Sequence, residues 1–498
     1  MSRLPRTLIA AFASFALAVS LALSVYPTPY RKGLIVTIGF GLFALLAVRH
    51  QTKRFGDRAR ASPLSIYATS WFFYFGVLGL SNFSQAGTDR RLGFDPDAIL
   101  KGMVVALVSL ALVTAGYLLV TNREIQRGDD RASLQHLNFS FVLLCLGIGW
   151  ACRAALFSTA QFGYLQFGDS STGPAKAILL FGDSLLSLGL AALAYALWAP
   201  QSPEGDRRRA RLVLLAGLLP LTLTAVTSGQ KGRLILDLMP VAVVFLLTRG
   251  RVPWKFLLLA VLYLTVIYSG AEKYRQDIAG GVLTVEDRRD PVKATAQVAT
   301  RIGQEWSRHG VIHHFHALST HFQGEYAVIV RNLSIILHKT PDEIPYFGTR
   351  HLALSPFFFL PNEVRGPGAN LGLYVQVTYH EGPATSSTPP TQPGDLFMSG
   401  GWPVLVLGEF AVGLVLGLLW RFQGNSNSPR RTVLYAVIAG LLVNAGLDLG
   451  TLVRASLQFT VVLAVVVRWL FVFPATVPVR GLDSADAQLS NGIGIRGR

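Results

Sequence analysis

Twelve long apolar runs punctuate the chain, at 8–26, 33–48, 63–81, 98–120, 137–157, 175–198, 212–227, 234–248, 253–270, 402–420, 432–447 and 455–473. A bilayer core takes about 20 mostly apolar residues per helix, so each run is predicted to cross a membrane. The runs at 212–227, 234–248 and 432–447 are near the short limit. Backbone groups find no water partner in lipid, so the runs are read as helices. The chain lacks the alternating strand pattern of a membrane β-barrel. Arg3 and Arg6 precede the first run as they would in a signal peptide. Its length, and the absence of a small-x-small site followed by a soluble domain, predict an uncleaved span instead. The predicted fold class is therefore all-α and polytopic. Twelve transmembrane helices divide into 1–270 (nine spans), an external segment 271–401, 402–475 (three spans) and a tail 476–498.

The external segment is patterned. Residues 292–309 and 325–338 read as amphipathic helices. Pro341, Pro345, Pro356 and Pro361 then break regularity, and 384–394 reads as a Ser/Thr/Pro loop leading back to the membrane. We read the segment as a compact helical cap.

Composition supports the spans: 51% of the 498 residues are hydrophobic and 15% are charged, against roughly 25% charged in soluble proteins. A disordered chain, an ordinary nucleic-acid-binding domain and a soluble enzyme are excluded. The net charge of +17 has a topological explanation, because cytoplasmic loops collect Lys and Arg. Loops 49–60, 121–132, 199–211, 249–255 and 421–431 carry 5, 3, 4, 3 and 3 Lys plus Arg. This bias predicts cytoplasmic termini and an external 271–401. The two cysteines, Cys145 and Cys152, lie within one apolar run and form neither a disulfide framework nor a metal knuckle.

Ionisable residues inside spans are costly and mark functional positions. Asp183, Asp237, Glu409 and Asp448 fall there, and Arg153, Lys231, Arg233, Arg275 and Arg454 gather toward the predicted outer ends. Two readings stand together. These groups are acid–base pairs tying helices to one another, or the cations line a pocket for a phosphate-bearing lipid, which Arg forks grip bidentately. The turn 227–233 (TSGQKGR) offers two glycines, two cations and backbone N–H groups ahead of a helix N-terminus, an arrangement that favours anions. It lacks the spacing of a nucleotide-binding P-loop. Five of the ten histidines lie in 309–321. His309, His313 and His316 would share a helix face, yet no cysteine accompanies them and Glu305 is the only nearby carboxylate in register. No metal or cofactor is expected. Glu305, Glu325, His313 or His316 is placed to take a proton from an acceptor hydroxyl.

Three stretches together resemble the Wzy-type polymerases of O-antigen and exopolysaccharide repeat units. TSGQKGR is similar to that family's Ser/Thr-Gly-x-Arg-Gly turn, with Lys231 where arginine is usual. The run 346–365 is similar to its Gly-x-x-Tyr, apolar stretch and Pro-Arg pattern. Here Asn362 follows the proline, and Arg365 would stand in. Residues 388–417 resemble its Gly-Glu-Leu-Tyr-x-x-Phe-Gly opening of a late span, with Asp395, Phe397 and Gly400 or Gly401 in those places. The resemblance implies a fold shared with O-antigen ligases and related GT-C glycosyltransferases, in a bacterial cytoplasmic (inner) membrane. It implies transfer of a growing glycan from undecaprenyl pyrophosphate to an incoming lipid-linked repeat unit, without metal or cofactor. Arg153, Lys231, Arg233, Arg275, Arg365 and Arg454 would hold pyrophosphate. Partners would be undecaprenyl-pyrophosphate-linked oligosaccharide, the bilayer, a chain-length regulator and a flippase, with no nucleic acid. An O-antigen-type ligase and a lipid-linked oligosaccharide flippase or transporter remain the alternatives.

Overall fold

The computed structural model describes residues 29–85, 95–122, 136–158, 173–227, 233–251, 253–310, 328–354, 371–381, 389–424, 428–442 and 449–472. The predicted first span, Asp448, and the Lys231 turn lie outside these residues.

Helices occupy the described part of every other predicted span. They are α1 (Pro29–Phe55), α2 (Pro63–Trp71) running through a π-helical turn (Phe72–Val77) into α3 (Leu78–Gln85), α4 (Pro96–Thr121), α5 (Phe139–Ser158), α6 (Gly173–Trp198), α7 (Glu204–Thr227), α8 (Arg233–Arg249) and α9 (Trp254–Ala279). Between α9 and the later long helices lie α10 (Val285–Arg289), α11 (Pro291–His309), α12 (328–339), α13 (Arg350–Leu354) and α14 (Leu371–Thr378). Then come α15 (Gln392–Gln423), α16 (Pro429–Leu441) and α17 (Leu449–Leu470). Starts follow local chemistry: Ser62, Asp95 and Asp290 accept N-terminal N–H groups at the heads of α2, α4 and α11, each ahead of a proline in the first turn. Thr284 and Asp287 close a capping box on α10.

Among the described residues seven helices are long and apolar enough to cross a membrane. A helix of 26 residues such as α4 reaches about 39 Å, longer than a hydrocarbon core of about 30 Å. Large apolar side chains stand outward on these helices, among them Leu45, Leu119, Leu219, Leu407 and Val415. In water this would be an aggregating surface; against lipid it needs no cover. The protein is thus all-α and built for a membrane. The only described strands are His136–Leu137 and Phe471–Val472, which pair antiparallel.

Glycines set the closest helix contact. A Cβ at Gly413 would lie 2.0 Å from the Val113 carbonyl oxygen, and one at Gly116 2.2 Å from that of Phe410. Gly413 and Gly417 form a small-xxx-small stripe that brings the α15 and α4 backbones together. Gly149 and Gly182 do the same for α5 and α6.

The loops rich in Lys and Arg gather at one end. Arg54 Nη1 donates to Asn122 Oδ1, Arg251 pairs with Asp57, Tyr435 donates to the Ala61 carbonyl, and Tyr195 packs on Phe471. The stretch between α9 and α15 returns to the other end. There α12 buries Val330, Leu333 and Ile336, with Val330 beside Gly79 and Ser334 against Gly102.

Candidate functional site

Polar side chains cluster at the end opposite the basic loops and in the bundle beneath it. Three constellations are built there.

The first joins α5, α6 and α8. Arg153 is 1% exposed. Its Nη1 and Nη2 donate to the two carboxylate oxygens of Asp237 at 2.9 and 2.6 Å, and its Nε donates to Asp183 Oδ1 at 3.0 Å. Trp150 lies under the guanidinium, 5.3 Å from ring centroid to carbon. The close approach at Gly149 and Gly182 lets Arg153 reach Asp183. Arg153 thus reaches carboxylates on two neighbouring helices at once. It is the acid–base tie between helices, the first of the two readings above.

The second sits where α13 meets the start of α15. Helix α15 is two helices across a break at Gly400 and Gly401, where Gly401 has φ 71°, a value that favours glycine. The short half, 392–399, is wholly buried, and Thr391 caps it by accepting from Gly394 N. Asp395 Oδ1 lies 2.6 Å from His351 Nε2, while His351 Nδ1 meets the Gly348 carbonyl at 2.9 Å. The ring is thus held at both nitrogens, by the Asp395 carboxyl on one side and the Gly348 carbonyl on the other. The other oxygen of Asp395 accepts from Leu449 N at 3.0 Å, placing an anion at the head of α17. Ser399 Oγ lies 3.5 Å from His351 Nε2 and donates to the Asp395 carbonyl. One carboxylate thereby locks α13, the short half of α15 and α17 together.

The third is deeper. Gln392 Nε2 donates to Glu409 Oε2 at 2.6 Å, linking the two halves of α15. Tyr67, Trp71 and Ser109 surround this pair.

On the cap surface, His380 stands beside Arg331 and Lys339. Burial first, then these cations, depress its pKa below 6.5. The unfolded state therefore takes up a proton before the folded one, and this residue's contribution to stability is lost as pH falls below 6.5. We expect the melting temperature to drop on acidification through that window, and His380→Gln to flatten the drop. A thermal-melt series between pH 7.5 and 5 checks this; an unchanged slope in the variant refutes it.

Of the residues singled out by sequence, Arg275 is half-buried on α9. Arg233 begins α8, Glu305 lies on α11 and Arg454 on α17, with side chains outside the description. Lys231, His313, His316, Glu325 and Arg365 lie outside the described residues. Sequence reasoning did not single out His351 or Gln392, and placed Asp395 only within a motif. The Gly400–Gly401 pair interrupting an apolar run was the signal available. The described residues contain no group of three or more His, Cys, Asp or Glu side chains able to hold a metal. No protein-family model matches the chain, and neither does a curated protein or a solved structure.

Proposed function

We propose that the chain is a membrane glycan polymerase of the kind its sequence resembles. It crosses the bacterial cytoplasmic membrane twelve times with both termini cytoplasmic, and shares the architecture of the O-antigen ligases. The acceptor hydroxyl of an incoming lipid-linked repeat unit attacks the anomeric carbon of the growing glycan. The bond from that carbon to the pyrophosphate oxygen breaks, and undecaprenyl pyrophosphate leaves. Lys231, Arg233, Arg275, Arg365 and Arg454 hold the departing charge, which fixed cations stabilise as it develops. Glu305, Glu325, His313 or His316 takes the hydroxyl proton. Arg153 serves by fixing α5, α6 and α8 through Asp183 and Asp237.

The observation that carries this reading is the buried return of the external segment onto the end of the bundle away from the basic loops. There α12, α13 and the short half of α15 bring chain and polar groups to one face. That is where a lipid-linked sugar presents its phosphate. A transporter is the second reading, favoured by the broken α15 with Glu409 inside the bundle, since transporters bind at discontinuous helices.

Purified full-length protein in detergent, given lipid-linked repeat units, separates them. A polymerase yields a ladder spaced by one unit and releases undecaprenyl pyrophosphate, because positioning and charge stabilisation need no energy source. A transporter has no leaflet to cross and leaves the substrate unchanged. A ligase makes one transfer, and only when a second, different acceptor lipid is added. No ladder from folded protein overturns the polymerase reading.

A further inference from the structure

We propose that Glu409, with Tyr67, Ser109 and Gln392, forms a binding site for one small monovalent cation in the core of the bundle. The four side chains come from α2, α4 and both halves of α15, and each is 0% exposed. Glu409 Oε2 is satisfied by Gln392 Nε2. Among the described residues, Glu409 Oε1, Gln392 Oε1, Tyr67 Oη and Ser109 Oγ make no hydrogen bond of good geometry. They are neighbours nonetheless: Ser109 and Gln392 face the Glu409 carboxyl, and the Tyr67 phenol faces Gln392 and lies within the field of Glu409. The indole N–H of Trp71, itself unpaired, faces the Tyr67 oxygen and so holds that oxygen in place.

Charge decides the occupant. A fully buried carboxylate costs several kcal/mol unless neutralised, and among the described residues no Lys, Arg or His acts on Glu409. A divalent ion would leave a surplus positive charge in the same low-dielectric core. A proton neutralises the carboxyl but bridges it to one further oxygen at most. One monovalent cation does both, since carboxylate, amide and hydroxyl oxygens are its natural ligands. The backbone agrees. The π-helical turn at Phe72–Val77 begins directly after Trp71, and the Gly400–Gly401 break separates Gln392 from Glu409. Both irregularities accompany functional sites in helices. Gln392 is three residues from Asp395, so the ion also sets the short half of α15.

The test is thermal unfolding of the full chain in detergent, in NaCl, KCl, LiCl or N-methylglucamine chloride at one ionic strength. A ligand of the folded state raises the melting temperature with its concentration. We expect a rise with Na+ concentration, absent in N-methylglucamine, and none in Glu409→Gln. Ser109→Ala, which keeps the carboxylate, should need roughly tenfold more Na+ for the same rise, the equivalent of about 1.4 kcal/mol. Ser109→Ala also carries the test if Glu409→Gln fails to fold. Equal melting in all four salts, a Na+ response surviving in Glu409→Gln, or stabilisation by acid alone overturns the proposal. The outcome is independent of the ladder assay, which reads chemistry and not ion binding.

Discussion

Arg153→Ala is expected to lose about 3–5 kcal/mol of stability, the usual penalty for stripping one partner from a buried ion pair. The cost is high because Asp183 and Asp237, both buried, each lose an ion pair with the same guanidinium. Arg153→Lys should recover part of it, since an ammonium supplies charge but not the planar fork that meets Asp237 at two points. Replacing all three residues by apolar ones of similar size should restore most of the stability, because desolvation no longer has to be offset. Melting in detergent, read beside glycan transfer at equal folded protein, checks this. If Arg153→Ala melts like wild type while transfer collapses, the arginine touches substrate and the clasp is secondary.

Gly413→Leu is expected to destabilise the bundle by a different route. Its first added carbon would lie 2.0 Å from the Val113 carbonyl oxygen, where the neighbour is backbone and cannot rotate away. The α4 and α15 helices must then separate, losing contact along their length, including the matching approach at Gly116 and Gly417. Overpacking of this kind costs roughly 1–3 kcal/mol or more, and even Gly413→Ala should show it. Gly205→Ala, on α7 with open space around it, is the control and should melt like wild type. Equal melting of the Gly413 and Gly205 variants would show that the helices do not depend on this contact.

The helices were legible from length and hydropathy, because a lipid-facing run must be apolar on every side. The amphipathic stretch at 292–309 appears as α11 (Pro291–His309), and 325–338 meets α12 at 328–339. Boundaries were less legible. Helix α9 continues to Ala279, well past its apolar run, and α15 begins at Gln392, ten residues before the predicted span. In both cases polar side chains extend a helix that hydropathy alone ends. The short half of α15 is buried against protein, so nothing in its hydropathy marked it as a helix turning back into the bundle. The acid–base partners were visible as isolated charges in apolar runs. Which acid met which base was not, since Arg153 and Asp237 are 84 positions apart in sequence. Tyr67, Trp71 and Ser109 carried no signal, because single polar groups among apolar neighbours are common and only their convergence is informative.

The pairing of His136–Leu137 with Phe471–Val472 bears on how the molecule is made. Asn138 also binds the Trp469 and Leu470 carbonyls, and Tyr435 reaches Ala61 across 374 positions. Synthesis proceeds from the N-terminus, and elements pack as they emerge. The segment ahead of α5 must therefore wait, its edge N–H and C=O groups unmatched, until α17 and the strand after it have been made. The emergence of Phe471 and Val472 is then the event that closes this contact. A chain stopped before Phe471 would be fully inserted yet unfinished, carrying the exposed strand edge that quality-control proteases and chaperones recognise.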